Sequence, residues 1–401
     1  MTRTPRRRGA LPSLRPTAAL WLALGIAAVP GTATAREAAA LEVEDSDVAT
    51  IGEVTPRWVF LTSQWGRPGT RIVDGETGKM RGMVHVAKLS NFAADPAGKY
   101  FYVAETMWTK GNRGTRQDMI TVRDSQTLEV VEEIPLQGRL LVGFRQNNFS
   151  VSADGRYAFV YNMNPASSVE VVDLQARKSL RVVEMPGCGL GAALPGQRFL
   201  SLCSNGALAV TSFGGGKAPD TQYSPVFFSA DQDPVFDSSV VDAKSGKATF
   251  LSYTGKIYSV DLSQGIEMAP GWSLQETVGL PAATTAPIQV NWLPGGRQPL
   301  AVNHATGRAY VLMHVGEYWT QKEDGEEIWE VDLAARKVIA RHPLSEDQEA
   351  TQMAVSQDEK PLIYLLTPGG DLVVLDASTF EEKHRIKSLG AGGTMQTGLG
   401  R

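Results

Sequence analysis

The chain has 401 residues, of which 39 are Lys or Arg and 43 Asp or Glu, for a formal net charge of −4. Binding to nucleic acid is driven mainly by phosphate neutralisation, so this acidic balance argues against that class. With 40 glycines, 22 prolines and few stretches of helical period, the chain reads as all-β rather than as a helical solenoid.

The first expected element is a secretory signal over residues 1–35. Arg3, Arg6, Arg7, Arg8 and Arg15 make a basic start with no acid in it, and an apolar run follows from Thr17 to Val29. That run is too short to cross a bilayer as a mature helix. Ala33-Thr34-Ala35 supplies the small residues a signal peptidase needs. Arg6-Arg7-Arg8 hints at twin-arginine export, although the residues that usually flank the pair are missing. Cleavage after Ala35 would leave 366 residues and move the net charge to −9. No other stretch is apolar for long enough to span, so no membrane span is expected. Residues 36–55 are Ala- and acid-rich and are expected as a mobile arm.

Residues 56–401 carry a repeat. A hydrophobic strand ending in Asp recurs as Arg71–Asp74, Thr121–Asp124, Glu170–Asp173, Tyr258–Asp261, Trp329–Asp332 and Val373–Asp376. Between the third and fourth lies a degenerate copy, Leu208-Ala209-Val210-Thr211, without the Asp. Small polar residues follow most of these aspartates, so each Asp is expected to cap the following turn through its own side chain. A second signal, a turn leading into a β-rich strand, occurs over Ala94–Val103, Ser152–Val160, Asn303–Val311 and Ser356–Tyr364. Two hairpins per unit give a four-stranded blade, and seven units give a seven-bladed β-propeller. The stretch from Asp261 to Asp332 is long enough to hold an insertion around Leu274–Pro294. The first unit is one strand short, so the two ends of the chain are expected to share a blade and close the ring. Gly390–Arg401 is then either part of that closure or a glycine-rich tail.

Catalytic motifs are scarce. His85, His304, His314, His342 and His384 show no metal-site spacing, and no metal is expected. The sequence contains no G-x-S-x-G elbow, P-loop or dinucleotide fingerprint, and Gly214-Gly215-Gly216 has no helix after it. Glu323, Asp324, Glu326 and Glu327 fall in a polar stretch that reads as solvated. Cys188 and Cys203, 15 apart, read either as a disulfide formed after export or as two free thiols. Trp65, on a loop between strands near one face of the ring, fits either a buried partner contact or blade packing.

Several longer strings carry a resemblance. Ser252–Ser263, Trp292-Leu293-Pro294-Gly295-Gly296, Val355–Tyr364 and Val73–Gly78 resemble segments of methylamine dehydrogenase heavy chains, in order, from about Arg57 to the last blade. The spacing of Cys188 and Cys203 matches that family's heavy-chain disulfide. The resemblance implies a periplasmic heterotetramer of two heavy and two light chains. In that family the light chain carries tryptophan tryptophylquinone, primary amines become aldehyde and ammonia, and electrons pass to a blue copper protein such as amicyanin or azurin. It implies no cofactor and no catalytic residue on this chain, which would dock the light chain and wall the substrate channel. The family places an aromatic residue of its first blade at the channel mouth, and Trp65 is the best match, although its loop departs from the methylamine enzymes in length and residues. The competing reading is a stand-alone exported propeller. It would be either a binding module, whose repeats would be more uniform, or a lactonase-type or pyrroloquinoline-quinone enzyme, whose pore would carry a ring of metal-binding carboxylates and asparagines.

Overall fold

A computed structural model describes residues 50–63, 68–138, 140, 143, 145–163, 165–390 and 392–398. The expected signal and residues 36–49 of the expected arm lie outside these. The described chain is almost entirely strand, arranged as seven antiparallel sheets in chain order. Blade 1 holds 58–84 together with 394–397, and blades 2 to 7 follow as 89–135, 149–184, 188–223, 240–273, 291–343 and 352–386. This is the seven-bladed β-propeller that the repeats imply.

Side-chain alternation explains why the blades stack. In Trp58–Ser63 every residue is buried. Val59 and Leu61 join Tyr364 and Val374 of blade 7, whereas Trp58 and Phe60 join Phe92 and Phe101 of blade 2. Successive residues of a strand face opposite sides, so a strand apolar at every position buries both faces of its sheet. The same holds round the ring, where seven apolar clusters are each shared by two neighbouring blades. The outermost strands alternate instead, as in Lys337–Pro343, where exposed and half-buried residues take turns. Charged side chains along such an edge discourage pairing with another chain.

The ring closes as expected. Thr394–Thr397 is the innermost strand of blade 1 and pairs with Trp58–Ser63 in the register Val59↔Thr397, Phe60↔Gln396, Leu61↔Met395 and Thr62↔Thr394. Gly393 precedes this strand with φ +120°, and a Cβ there would lie 1.6 Å from the Thr62 carbonyl oxygen. Within residues 50–55, the end of the stretch expected as an arm, Ile51 and Val54 are half-buried and the other four residues are exposed. The Ile51 N–H donates to the Gln126 carbonyl at 3.0 Å, and Ile51 and Val54 lie against the cluster between blades 1 and 2.

The recurring aspartates end the third strand of six blades. Each accepts a backbone N–H two or three residues on, at 2.8–3.0 Å, from Glu76, Gln126, Gln175, Ser263, Ala335 and Ser378 respectively. The Thr127 N–H bonded to Asp124 and the Ser378 hydroxyl bonded to Asp376 hold these two carboxyls below their ordinary range. Blade 4 lacks the Asp, and there Ser212 pairs with Asp220 across a longer connection that includes Gly214-Gly215-Gly216. Gly215 and Gly216 take φ +74° and +68°, so glycine supplies the reversal that the Asp cap supplies elsewhere. The second sequence signal leads into an inner strand. Its turn joins the innermost strand to the second, as in Phe149–Val151 and Tyr157–Met163.

These turns divide the ring into two faces. Adjacent strands run antiparallel, so the turns after the first and third strands emerge on one side, the turn face. The turn after the second strand and the connection to the next blade emerge on the other, the loop face. The insertion at Leu274–Pro294 belongs to the loop face. It forms a short helix, Leu274–Thr277, and an extra strand, Asn291–Pro294. That strand and Leu300–Asn303 share one partner, Arg308–Gly316, so the inner position of blade 6 is split in two.

Candidate functional site

The two cysteines form a disulfide. They sit opposite each other at Cys188↔Cys203, linking the first and second strands of blade 4. Both are buried within the cluster between blades 3 and 4.

Trp65 lies outside the described residues. The strands that flank it are clear: Ser63 pairs with Gly69, and the Thr62 and Thr70 hydroxyls are 2.9 Å apart and buried. Ser63 and Gly69 lie at the loop-face ends of their strands in blade 1.

That face differs chemically from the opposite one. Among the described residues, Met107, Met163, Val226, Ile288, Val290, Val315 and Trp319 expose large apolar side chains on the loop face. Val226 is 65 % and Ile288 85 % exposed. The exposed apolar residues elsewhere, Met80, Val130, Val131, Leu180, Val182 and Ile339, all lie on outermost strands at the rim. The described turns of the turn face carry none, and Met80, Val130, Val131, Leu180 and Ile339 lie next to those turns on the outermost strands. Apolar patches of this kind mark contact surfaces more often than solvent-facing ones.

A central channel of about 660 Å³ runs between the innermost strands, walled by small side chains such as Ala93, Ala192, Ala193, Ala301 and Ala354. Side-chain amides bind the strands together towards its loop-face end. Gln298 donates through Nε2 to the Met353 and Met395 carbonyls and accepts the Met395 N–H through Oε1. Gln146, from the connection between blades 2 and 3, donates to the same Met395 carbonyl at 2.8 Å. Asn147 donates to the Ser239 carbonyl at 2.9 Å. At the turn-face mouth stand Asp242, Lys244, His304 and Gln357. Burial opposes ionisation of Asp242, but bonds from Ser245 and the Lys244 N–H, with the charge of His304, hold its carboxyl below the ordinary range.

Among the described residues no three His, Cys, Asp or Glu side chains are grouped to hold a metal ion. His342 stacks on Phe380 with ring centroids 3.3 Å apart, and His384 bonds the Glu76 carbonyl at 2.9 Å, so both serve blade packing. Glu327, read from sequence as solvated, instead accepts the Trp329 indole N–H and pairs with Arg341. Glu326 accepts the Val315 N–H at 2.7 Å. No described helix is long and apolar enough to cross a membrane.

Sequence reading missed an aromatic cluster on the loop face at blades 5 and 6, built from Phe236, Tyr253, Tyr318 and Trp319. The available signal was the adjacent pair Tyr318-Trp319 in a polar connection between two strands.

The family model described as methylamine dehydrogenase heavy chain matches residues 67–399. The methylamine dehydrogenase heavy chain of Paracoccus versutus is 30% identical over 325 residues, covering 80% of this chain and 74% of that one. That of Methylorubrum extorquens is 28% identical over 373 residues, covering 90% and 88%. Among solved structures, a putative 6-phosphogluconolactonase from Bacteroides uniformis aligns with a TM-score of 0.56 at 13% identity, covering 84% of this chain and 98% of that one. A dihydro-heme d1 dehydrogenase aligns at 0.54 and 17%, covering 86% and 76%. At such identities these two likenesses concern the fold alone.

Proposed function

The chain belongs to the methylamine dehydrogenase heavy chain family, and from that premise we propose that it is the subunit without cofactor of a periplasmic amine dehydrogenase. The observation that carries the reading is the family match across 67–399, which takes in blades 2 to 7 and all of blade 1 except Trp58–Ser63. In this reading two heavy and two light chains assemble, and the light chain docks on the loop face. The exposed apolar residues confined to that face and the rim support the placement. Trp65 stands at the mouth of the substrate passage, in keeping with the flanking strands, which end at Ser63 and begin at Gly69 on the same face. Tryptophan tryptophylquinone, made from two tryptophans of the light chain, supplies the oxidation of a primary amine to aldehyde and ammonia. Electrons leave for a blue copper protein such as amicyanin or azurin. This chain's own work is to bind the light chain, orient it and keep water from the passage. Export fits both the signal read at residues 1–35 and a structural disulfide, which persists in an oxidising compartment.

The test is reconstitution. Expressed alone and purified, the chain is expected to have no quinone absorbance and no dye-linked amine oxidation. Co-expression with its light chain is expected to give both. Amine oxidation by this chain in the absence of any partner would overturn the proposal.

A further inference from the structure

The aromatic cluster on blades 5 and 6 is built as a raised, rigid point. Trp319 lies in the turn between Arg308–Gly316 and Glu327–Asp332 and is 55 % exposed. Its backbone has φ +75°, the left-handed region that a tryptophan occupies only at a cost of about 1–2 kcal/mol. The surrounding contacts hold it there. Tyr318, buried, donates its hydroxyl to the Gln232 carbonyl, and its ring centroid is 4.6 Å from that of Trp319. The Tyr253 ring meets Trp319 edge-on at 5.9 Å and rests on Phe236 at 4.7 Å. Asp233 clamps the Thr254 N–H and hydroxyl at 2.9 and 2.7 Å, locking the connection between blades 4 and 5 onto the Tyr253 turn. These contacts fix the conformation, which presents a large flat apolar side chain to the outside. Tryptophan dominates interface energetics because it desolvates a wide area at small entropic cost.

We propose that Trp319 is an anchor for the light chain, two blades round the ring from blade 1; the inference rests on the heavy-subunit reading above. Charge selects the light chain over a second copy of this chain. Exposed Glu317 adjoins Tyr318 in the chain, exposed Asp231 adjoins Gln232, and exposed Glu323 and Lys322 follow in the same connection as Glu317, while Asp233 is paired with Lys256 and Asp237 with Arg145. A two-fold contact between copies sets each patch against itself and places these acids opposite one another, which costs energy. A partner with a basic rim round an apolar socket satisfies both the ring and the charge. Ile288 and Val290 of the insertion extend the apolar surface on the same face.

The experiment titrates the full heavy chain with the purified light chain and compares wild type with Trp319→Ala, Trp319→Phe, Glu317→Lys and Val182→Ala. Trp319→Ala is expected to weaken assembly about 30-fold or more, with kcat at saturating light chain unchanged and the melting curve of the free heavy chain unmoved. Trp319→Phe should recover part of the loss. Glu317→Lys should weaken assembly at low salt and lose its effect at high salt. Val182→Ala, at the rim, should change nothing. If Trp319→Ala assembles as well as wild type, the anchor is refuted while the heavy-subunit reading stands. If wild type itself fails to bind the light chain, the heavy-subunit reading falls and takes the anchor with it. Loss of a heavy-chain pair in sedimentation, with light-chain binding intact, would assign the patch to a second copy and also refute the proposal. Should Trp319→Ala fail to fold, the Phe and charge-reversal variants decide.

Discussion

Gly393→Ala tests how the ring is closed. The innermost strand of blade 1 comes from the C-terminal end of the chain, and nothing covalent joins it to Trp58–Ser63. A methyl at position 393 would lie 1.6 Å from the Thr62 oxygen, where real contacts stay beyond 3.0 Å. The obstruction is backbone and cannot swing aside. The strand must therefore retreat by more than an ångström, weakening up to four residue pairs and the bonds that Gln298 and Gln146 make to Met395. At about 0.5–1.5 kcal/mol net for each lost hydrogen bond, plus about 1–2 kcal/mol for a side chain at positive φ, the expected loss is about 3–6 kcal/mol. Gly196→Ala is the control. It also sits at positive φ, +75°, but nothing lies within 4 Å of its Cβ position, so it should cost only about 1–2 kcal/mol. Urea unfolding of both variants beside wild type measures the difference, and limited proteolysis should release the C-terminal peptide from Gly393→Ala alone. Equal losses in the two variants would refute the reasoning, because then backbone conformation rather than the closure contact sets the cost.

Three further outcomes are expected. Peptide mapping without reductant should recover Cys188 linked to Cys203, and replacing both by serine should lower stability by about 3 kcal/mol, the chain-entropy value for a loop of this size; alkylation of either thiol in the native protein would contradict it. In the assembled enzyme Trp65→Ala should alter the ratio of kcat/KM between a small and a bulky amine, whereas a loss of about 3–5 kcal/mol in stability with unchanged selectivity would mean that Trp65 packs the blade instead. His314 is buried, lies 2.8 Å from the Thr320 hydroxyl, and has its pKa lowered by burial against the opposing pull of Glu326 and Glu323. The unfolded chain therefore binds the proton first. The neutral form's contribution to stability is present above about pH 6.5 and is lost as the pH falls from there through the lower folded value, so His314→Asn should flatten the fall in melting temperature below about pH 6.5; an unchanged slope would assign the pH dependence to other groups.

Much of the architecture was legible in the sequence because it is encoded within single blades. An Asp after an apolar strand reaches an N–H two or three residues away, so Asp124 and Asp376 do the same work wherever their blades lie. Strand alternation and turn chemistry are likewise local. Counting them yields seven units, a first blade one strand short, and therefore closure by the chain's ends. The strings resembling heavy chains, such as Ser252–Ser263, are local too, and the family match over residues 67–399 agrees with them.

What tertiary structure alone decided depends on residues far apart in the chain. Gln298 and Met395 are 97 positions apart, Asn147 and Ser239 are 92 apart, and no spacing rule announces that these amides would knit one end of the channel. Residues 50–55 have the composition of a loose arm, yet Ile51 finds an apolar seat between two blades that exists only once the ring has formed. Trp319 is the clearest case. Its sequence neighbourhood is polar, and its exposure and strained backbone follow from Gln232, Tyr253 and Phe236, brought beside it by the packing of blade 5 against blade 6. Turn and strand signals act over a few residues and survive in any context. A surface that can bind a partner is assembled from separate loops, and only the closed ring sets them side by side.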